Sequence, residues 1–119
     1  MGGRDTFTAN VPKVIKEHEN FQKWMDKTDG SLLMRIEAAK AKIELEGLIT
    51  DAKSLKNGLY EKKWNSGLRL YFAVIEEEGR KTLLLLGSGK DRDQQQAIEK
   101  SKKGLENFKV VTEDIKYDP

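Results

Sequence analysis

The chain has 119 residues, 22 Lys and Arg against 20 Asp and Glu, a single histidine and no cysteine. That length supports one hydrophobic core rather than two, and a net charge of +2 is too small to mark a polyanion binder without a favourable distribution. Disulfides, thiolate metal sites and multi-histidine zinc sites are excluded by composition, no run approaches the length of a membrane span, and the start lacks a basic-then-apolar leader pattern, so the sequence predicts a cytoplasmic protein of one domain over residues 1–119 with no metal, no cofactor and no membrane partner.

Residues 1–5 read as a flexible start. Thr6 to Val14 reads as a first strand, with Phe7, Ala9 and Val11 alternating with polar neighbours and Pro12 marking an edge or an end. Lys13 to Asp26 reads as a helix on the spacing of Phe21, Trp24 and Met25. Thr28-Asp29-Gly30 breaks it, and Ser31 is placed to cap a second helix running to Glu46, with Leu32, Ile36, Ala39 and Ile43 as its buried stripe and Gly47 as its stop. Leu48 to Lys56 reads as a connector.

Three strands follow, over Gly58–Trp64, Leu68–Glu76 and Arg80–Leu86, joined by Asn65-Ser66-Gly67 and Glu77-Glu78-Gly79. Four successive leucines, Leu83 to Leu86, are apolar on both faces and place the last of these strands inside the sheet. Gly87 to Lys90 reads as a loop. Asp91 or Asp93 is spaced to cap a final helix, whose inner face carries Ile98, Ser101, Leu105 and Phe108. A short strand at Lys109–Val111 and a flexible polar tail over 112–119 complete the chain. Helices grouped ahead of a strand meander predict an α+β fold with its helices on one face of the sheet: two N-terminal helices packed on a twisted antiparallel sheet made of the meander and an N-terminal strand, with a C-terminal helix.

The chemistry lies in the distribution of basic residues along the meander. Arg69 sits between Leu68 and Leu70, so its side chain takes the opposite face and needs solvent or a partner there; a solvated arginine and a bidentate phosphate clamp both satisfy that pattern, and periodicity alone favours the first. Lys62 and Lys63 point to opposite faces, so only one can join Arg69. Glu61 is placed to pair with Lys63 or Arg69 across the sheet. Gly87-Ser88-Gly89-Lys90 lacks the spacing of a nucleotide P-loop, although Lys90 and Arg92 at a helix start suit one phosphate of a polymer. Tyr60, Trp64 and Tyr71 are core aromatics or stacking platforms.

Phe21-x-x-Trp24, Arg35-Ile36, Gly58-Leu59-Tyr60-Glu61-x-Lys63, Gly67-Leu68-Arg69-Leu70-Tyr71-Phe72, and Leu83 to Lys90 followed by Gln94 and Ile98 occur in this order. Together they resemble the RelE/ParE toxin superfamily, and within it the HigB-like, or addiction-module killer, subgroup. The resemblance spans about residues 20 to 105. It implies a toxin held by a cognate antitoxin protein and acting on mRNA at the ribosome as an endoribonuclease. The alternatives are a non-enzymatic gyrase inhibitor of the ParE type and an inactive relative that only binds a partner. It also implies that Arg69, Lys63 and Lys90 contact the scissile phosphate, with Lys62, Lys81 and Arg92 as further RNA contacts. The chain departs from the family pattern after Lys90, where the segment is one residue longer, Ala97 replaces an aspartate, and the last helix carries no Tyr or His, so the resemblance leaves the general acid and base unassigned.

Overall fold

The computed structural model describes residues 6–118; the flexible start expected for residues 1–5, and Pro119, lie outside the described residues. The fold is α+β, as the element order predicts. Among the described residues seven strands form one sheet: β1 (Phe7–Asn10), β2 (Ile15–Glu17), β3 (Leu48–Ser54), β4 (Tyr60–Lys63), β5 (Arg69–Glu77), β6 (Arg80–Gly89) and β7 (Lys109–Val110). Three helices accompany it: α1 (Glu19–Asp26), α2 (Gly30–Glu46) and α3 (Gln94–Leu105), the last preceded by a 3-10 turn at Asp91–Asp93. The sheet order is β1-β3-β4-β5-β6-β2, with β7 continuing the line of β4 alongside β5.

The expected connector at Leu48–Lys56 is instead β3, which joins β1 to β4. Its buried residues Ile49 and Ala52 lie three apart, because Asp51 takes a left-handed φ of 57° and breaks the two-residue alternation. The expected helix over Lys13–Asp26 starts late. Ile15 to Glu17 runs parallel to Leu83–Leu85 and covers the outer edge of β6, and only then does the chain turn at His18 into α1. His18 caps α1 by accepting the Asn20 amide on Nδ1 at 3.1 Å. The cap of α2 is Asp29 rather than Ser31: its carboxylate accepts the Ser31 and Leu32 amides and the Ser31 hydroxyl. Gly47 ends the helix in the left-handed conformation expected of it.

The sheet carries helices on both faces, not one. Leu68, Leu70, Phe72, Val74, Leu83 and Leu85 pack beneath Phe21 of α1 and Ile36 and Ile43 of α2. On the other face Tyr71, Ala73, Ile75, Leu84 and Leu86 pack beneath α3 with Leu105 and Ile98. All four leucines from Leu83 to Leu86 are therefore shielded, each contributing about 1.5–3 kcal/mol of burial. α3 approaches so closely that a methyl group on Gly87 would meet the Ser101 hydroxyl at 3.2 Å. The tail is not loose: Ile115 is buried, its carbonyl accepts the Asn10 amide, and the Tyr117 amide donates to Thr8 along β1.

Candidate functional site

Arg69 opens β5, opposite Lys63 on β4 and Gly89 on β6. Alternation sends its side chain to the α3 face, together with Glu61 and Tyr71, which stand opposite each other two residue pairs further along. Arg69 is 9% exposed and Glu61 3%, so neither is a solvated surface group. The guanidinium donates from Nη1 to Glu61 Oε1 at 2.9 Å, and from Nε and Nη2 to Asp91 Oδ1 at 2.9 and 2.7 Å. The second Glu61 oxygen accepts from Gln94 Nε2 at 3.1 Å. Burial works against the charge on Arg69, but the hydrogen bonds to Asp91 and Glu61 outweigh it and its pKa is raised.

The two carboxylates are not equivalent. Glu61 is enclosed by β4, β5 and α3, with both oxygens engaged. Asp91 sits on the exposed 3-10 turn with 63% of its side chain in solvent. It reaches the guanidinium over Gly67, whose φ is +92°; a methyl group there would lie 2.9 Å from Asp91 Oδ2. Neither Asp91 nor Asp93 caps α3, contrary to the spacing of the sequence, because Asp91 is drawn to Arg69 instead. The hydrogen bond from Arg69 lowers the Asp91 pKa, and the charges of Arg69 and Lys63 add to the effect. A carboxylate depressed in the folded state stabilises the fold fully above its unfolded pKa of about 3.9 and loses that contribution as pH falls through the folded value. Acid unfolding curves should therefore flatten between pH 4 and the folded pKa in Asp91→Asn relative to the parent protein; superimposable curves would show that the pair is immaterial to stability.

Tyr71 lies beneath this cluster, wholly buried, and its hydroxyl has no hydrogen-bond partner. Burial raises its pKa strongly, and the Glu61 charge raises it further, so it stays protonated. Tyr60 is on the opposite face, stacked on Phe72 with ring centres 5.6 Å apart. Both tyrosines are core residues rather than platforms for bases.

Of the basic residues singled out in the sequence, the structure brings Lys63 and Arg92 to the same end of the sheet as Arg69, and both are exposed. Arg92 sits beside Asp91 on the turn, 88% exposed, with a loose 3.7 Å contact to Asp93. Lys90 is not on that face. The strand alternation that points Gly87 and Gly89 towards α3 turns Lys90 the other way, where its charge acts on Asp29 at the start of α2. Lys62 is buried on the α2 face; its ammonium donates to the Thr50 carbonyl and hydroxyl at 2.8 and 3.0 Å and lies over the Trp64 ring. Burial pushes its pKa down. Lys81 is at the far end of β6, paired with Glu113 at 2.8 Å. Lys62 and Lys81 thus have structural partners and lie away from Arg69.

No protein-family model, curated protein or solved structure matches the chain.

Site residues that sequence reasoning passed over are Asp91 and Gln94, read as helix-start residues, and Tyr71, read as core or stacking. Glu61 was legible as a cross-strand partner of Arg69. Nothing in spacing alone joins Asp91 to Arg69, 22 positions earlier. Among the described residues no cluster of His, Asp and Glu is arranged to hold a metal ion, and no helix is long and apolar enough to cross a membrane.

Proposed function

We propose that this chain is a RelE/ParE-type toxin of the HigB-like subgroup, a cytoplasmic endoribonuclease that cuts mRNA at the ribosome and is held by a cognate antitoxin. The observation that supports this reading best is the buried Arg69 guanidinium, held on one side by the buried Glu61 and on the other by the exposed Asp91. A guanidinium held in this way presents Nε and Nη2 in the fork that suits two phosphate oxygens. A phosphodiester entering from solvent would take the place of Asp91, with Lys63 and Arg92 supplying further positive charge at the rim. Lys90 points away from that rim and has no direct part in the proposal.

Cleavage by a ribose 2′-hydroxyl requires a proton acceptor, stabilisation of the phosphorane and a proton donor for the leaving 5′-oxygen. Arg69 and Lys63 serve the second need. Asp91, once displaced from the guanidinium, is the carboxylate nearest the incoming phosphate, and we assign to it the acceptance of the 2′-hydroxyl proton. The exposed Lys63 ammonium at the rim is the proton donor available to the leaving oxygen. Asp91→Asn then separates two effects. RNA binding tightens roughly tenfold, since a charged hydrogen bond that competes with the phosphate is weakened, while cleavage slows at least ~100-fold. Equal changes in binding and cleavage would remove Asp91 from the chemistry.

The test is cell-free translation with purified protein, mapping the 5′ ends of the message with and without ribosomes. Ribosome-dependent ends that disappear with Arg69→Ala support the nuclease. Intact message with unimpaired translation overturns it and directs attention to DNA supercoiling by gyrase.

A further inference from the structure

A second site lies on the other flank of α3. β2 covers the outer edge of β6 only from Leu83 to Leu85, and beyond that the chain leaves at His18 to form α1. The edge of β6 from Leu86 to Gly89 is left without a strand neighbour, at the bottom of a cleft of about 270 Å³ between α1 and α3. Lys23 on α1 and Lys27, the residue that caps its C-terminal end, line one wall, and Lys100 of α3 lines the other. Among the described residues none of the three has an ion-pair partner, and Asp93 is the one carboxylate in the lining. Trp24, half-buried and stacked on Phe21 at 6.4 Å, stands between Lys23 and Lys27 in the chain. At the base, Ser101 is 1% exposed and its hydroxyl has no hydrogen-bond partner.

Three unpaired ammonium groups, an indole and an unpartnered buried hydroxyl around unpaired strand edge are the complement of a phosphate joined to a planar ring. Leaving a buried hydroxyl without a partner is unfavourable, and a bound acceptor would satisfy it. Lysine acts as a point charge for phosphate, and an indole face accepts any base. The volume is at the lower end for small-ligand clefts and suits one nucleotide rather than a longer segment. We propose that this cleft binds one nucleoside monophosphate unit, its phosphate among Lys23, Lys27 and Lys100 and its base against Trp24. The inference does not rest on the toxin reading, because the side chains it assigns to the ligand, Lys23, Trp24, Lys27 and Lys100, take no part in the cluster around Arg69.

Trp24 reports on the cleft directly once the other tryptophan is removed. In a Trp64→Phe background, 5′-UMP and 5′-AMP are expected to quench Trp24 fluorescence saturably. Uridine, which lacks the phosphate, should bind at least tenfold more weakly, and adding Lys23→Ala and Lys100→Ala should raise the Kd for 5′-UMP at least tenfold. Asp91→Asn should leave that Kd unchanged, which separates this site from the one at Arg69. A 5′-phosphorylated hexauridylate binding more tightly than 5′-UMP would assign the unit to an RNA chain, and equal Kd values would assign it to a free nucleotide. Absence of saturable quenching by either mononucleotide, or quenching indifferent to the two lysines, would overturn the proposal.

Discussion

Replacing Arg69 by alanine is expected to abolish growth arrest on induction and to reduce ribosome-dependent cleavage at least ~100-fold, the usual cost of removing one preorganised donor from a charged transition state. The same change leaves Glu61 buried without its cation, which costs about 3–5 kcal/mol. Loss of activity in the single variant would therefore be confounded with loss of fold. The double variant Glu61→Gln/Arg69→Met resolves this. Replacing both halves of a buried pair by uncharged groups of similar size is often neutral for stability, so the denaturation midpoint should return close to that of the parent while activity stays absent. A stable double variant that still arrests growth would reduce the Arg69 cluster to a structural clasp.

The largest stability effect away from the site is expected at Gly58. Lys56, Asn57 and Gly58 take successive left-handed conformations, with φ of 78°, 58° and 84°. A methyl group on Gly58 would also stand 2.3 Å from Val110 Cγ1 on β7. Gly58→Ala therefore combines backbone strain with overpacking and should destabilise the protein by about 3 kcal/mol in urea unfolding. Much of that loss should be recovered by pairing it with Val110→Ala, since only the steric part is relieved. Gly79→Ala is the control, because its left-handed φ of 77° has nothing within 4 Å of the added methyl. A Gly58→Ala variant no less stable than Gly79→Ala would contradict the packing of β7 against this turn.

The parts of the fold that were legible in the sequence are those whose pattern is set locally. Gly67 and Gly79 punctuate β5 and β6, and the four leucines declare a strand covered on both faces. The same leucines also require a layer on each face, whereas the grouping of helices ahead of the strands suggests one covered face, and α3 in fact lies opposite α1 and α2. β2 was hidden because three residues carry too little periodicity to be separated from the helix that follows. β3 was hidden because Asp51 places Ile49 and Ala52 three apart, a helical interval inside a strand. At the site, the pairing of Glu61 with Arg69 follows from strand alternation plus an offset of two residue pairs. The contact with Asp91 depends on where a turn after β6 comes to rest over Gly67, and no local pattern encodes that. Lys62 and Lys63 show the limit most directly: adjacent and chemically identical, one is buried beneath Trp64 and held by Thr50, the other stands at the rim beside Arg69.

The central claim is that RNA phosphate takes the place of Asp91 on the Arg69 guanidinium. It is tested most directly by following the Arg69 Nε–H resonance and the Asp91 carboxyl carbon by NMR while titrating a short RNA whose 2′-hydroxyls are replaced by hydrogen, so that it binds without being cut. The account predicts that both signals move together at one Kd, that the Asp91 pKa rises towards the ordinary carboxylate range in the complex, and that Asp91→Asn lowers that Kd. RNA that binds while Arg69 Nε–H and Asp91 keep their free-state shifts and pKa would contradict it.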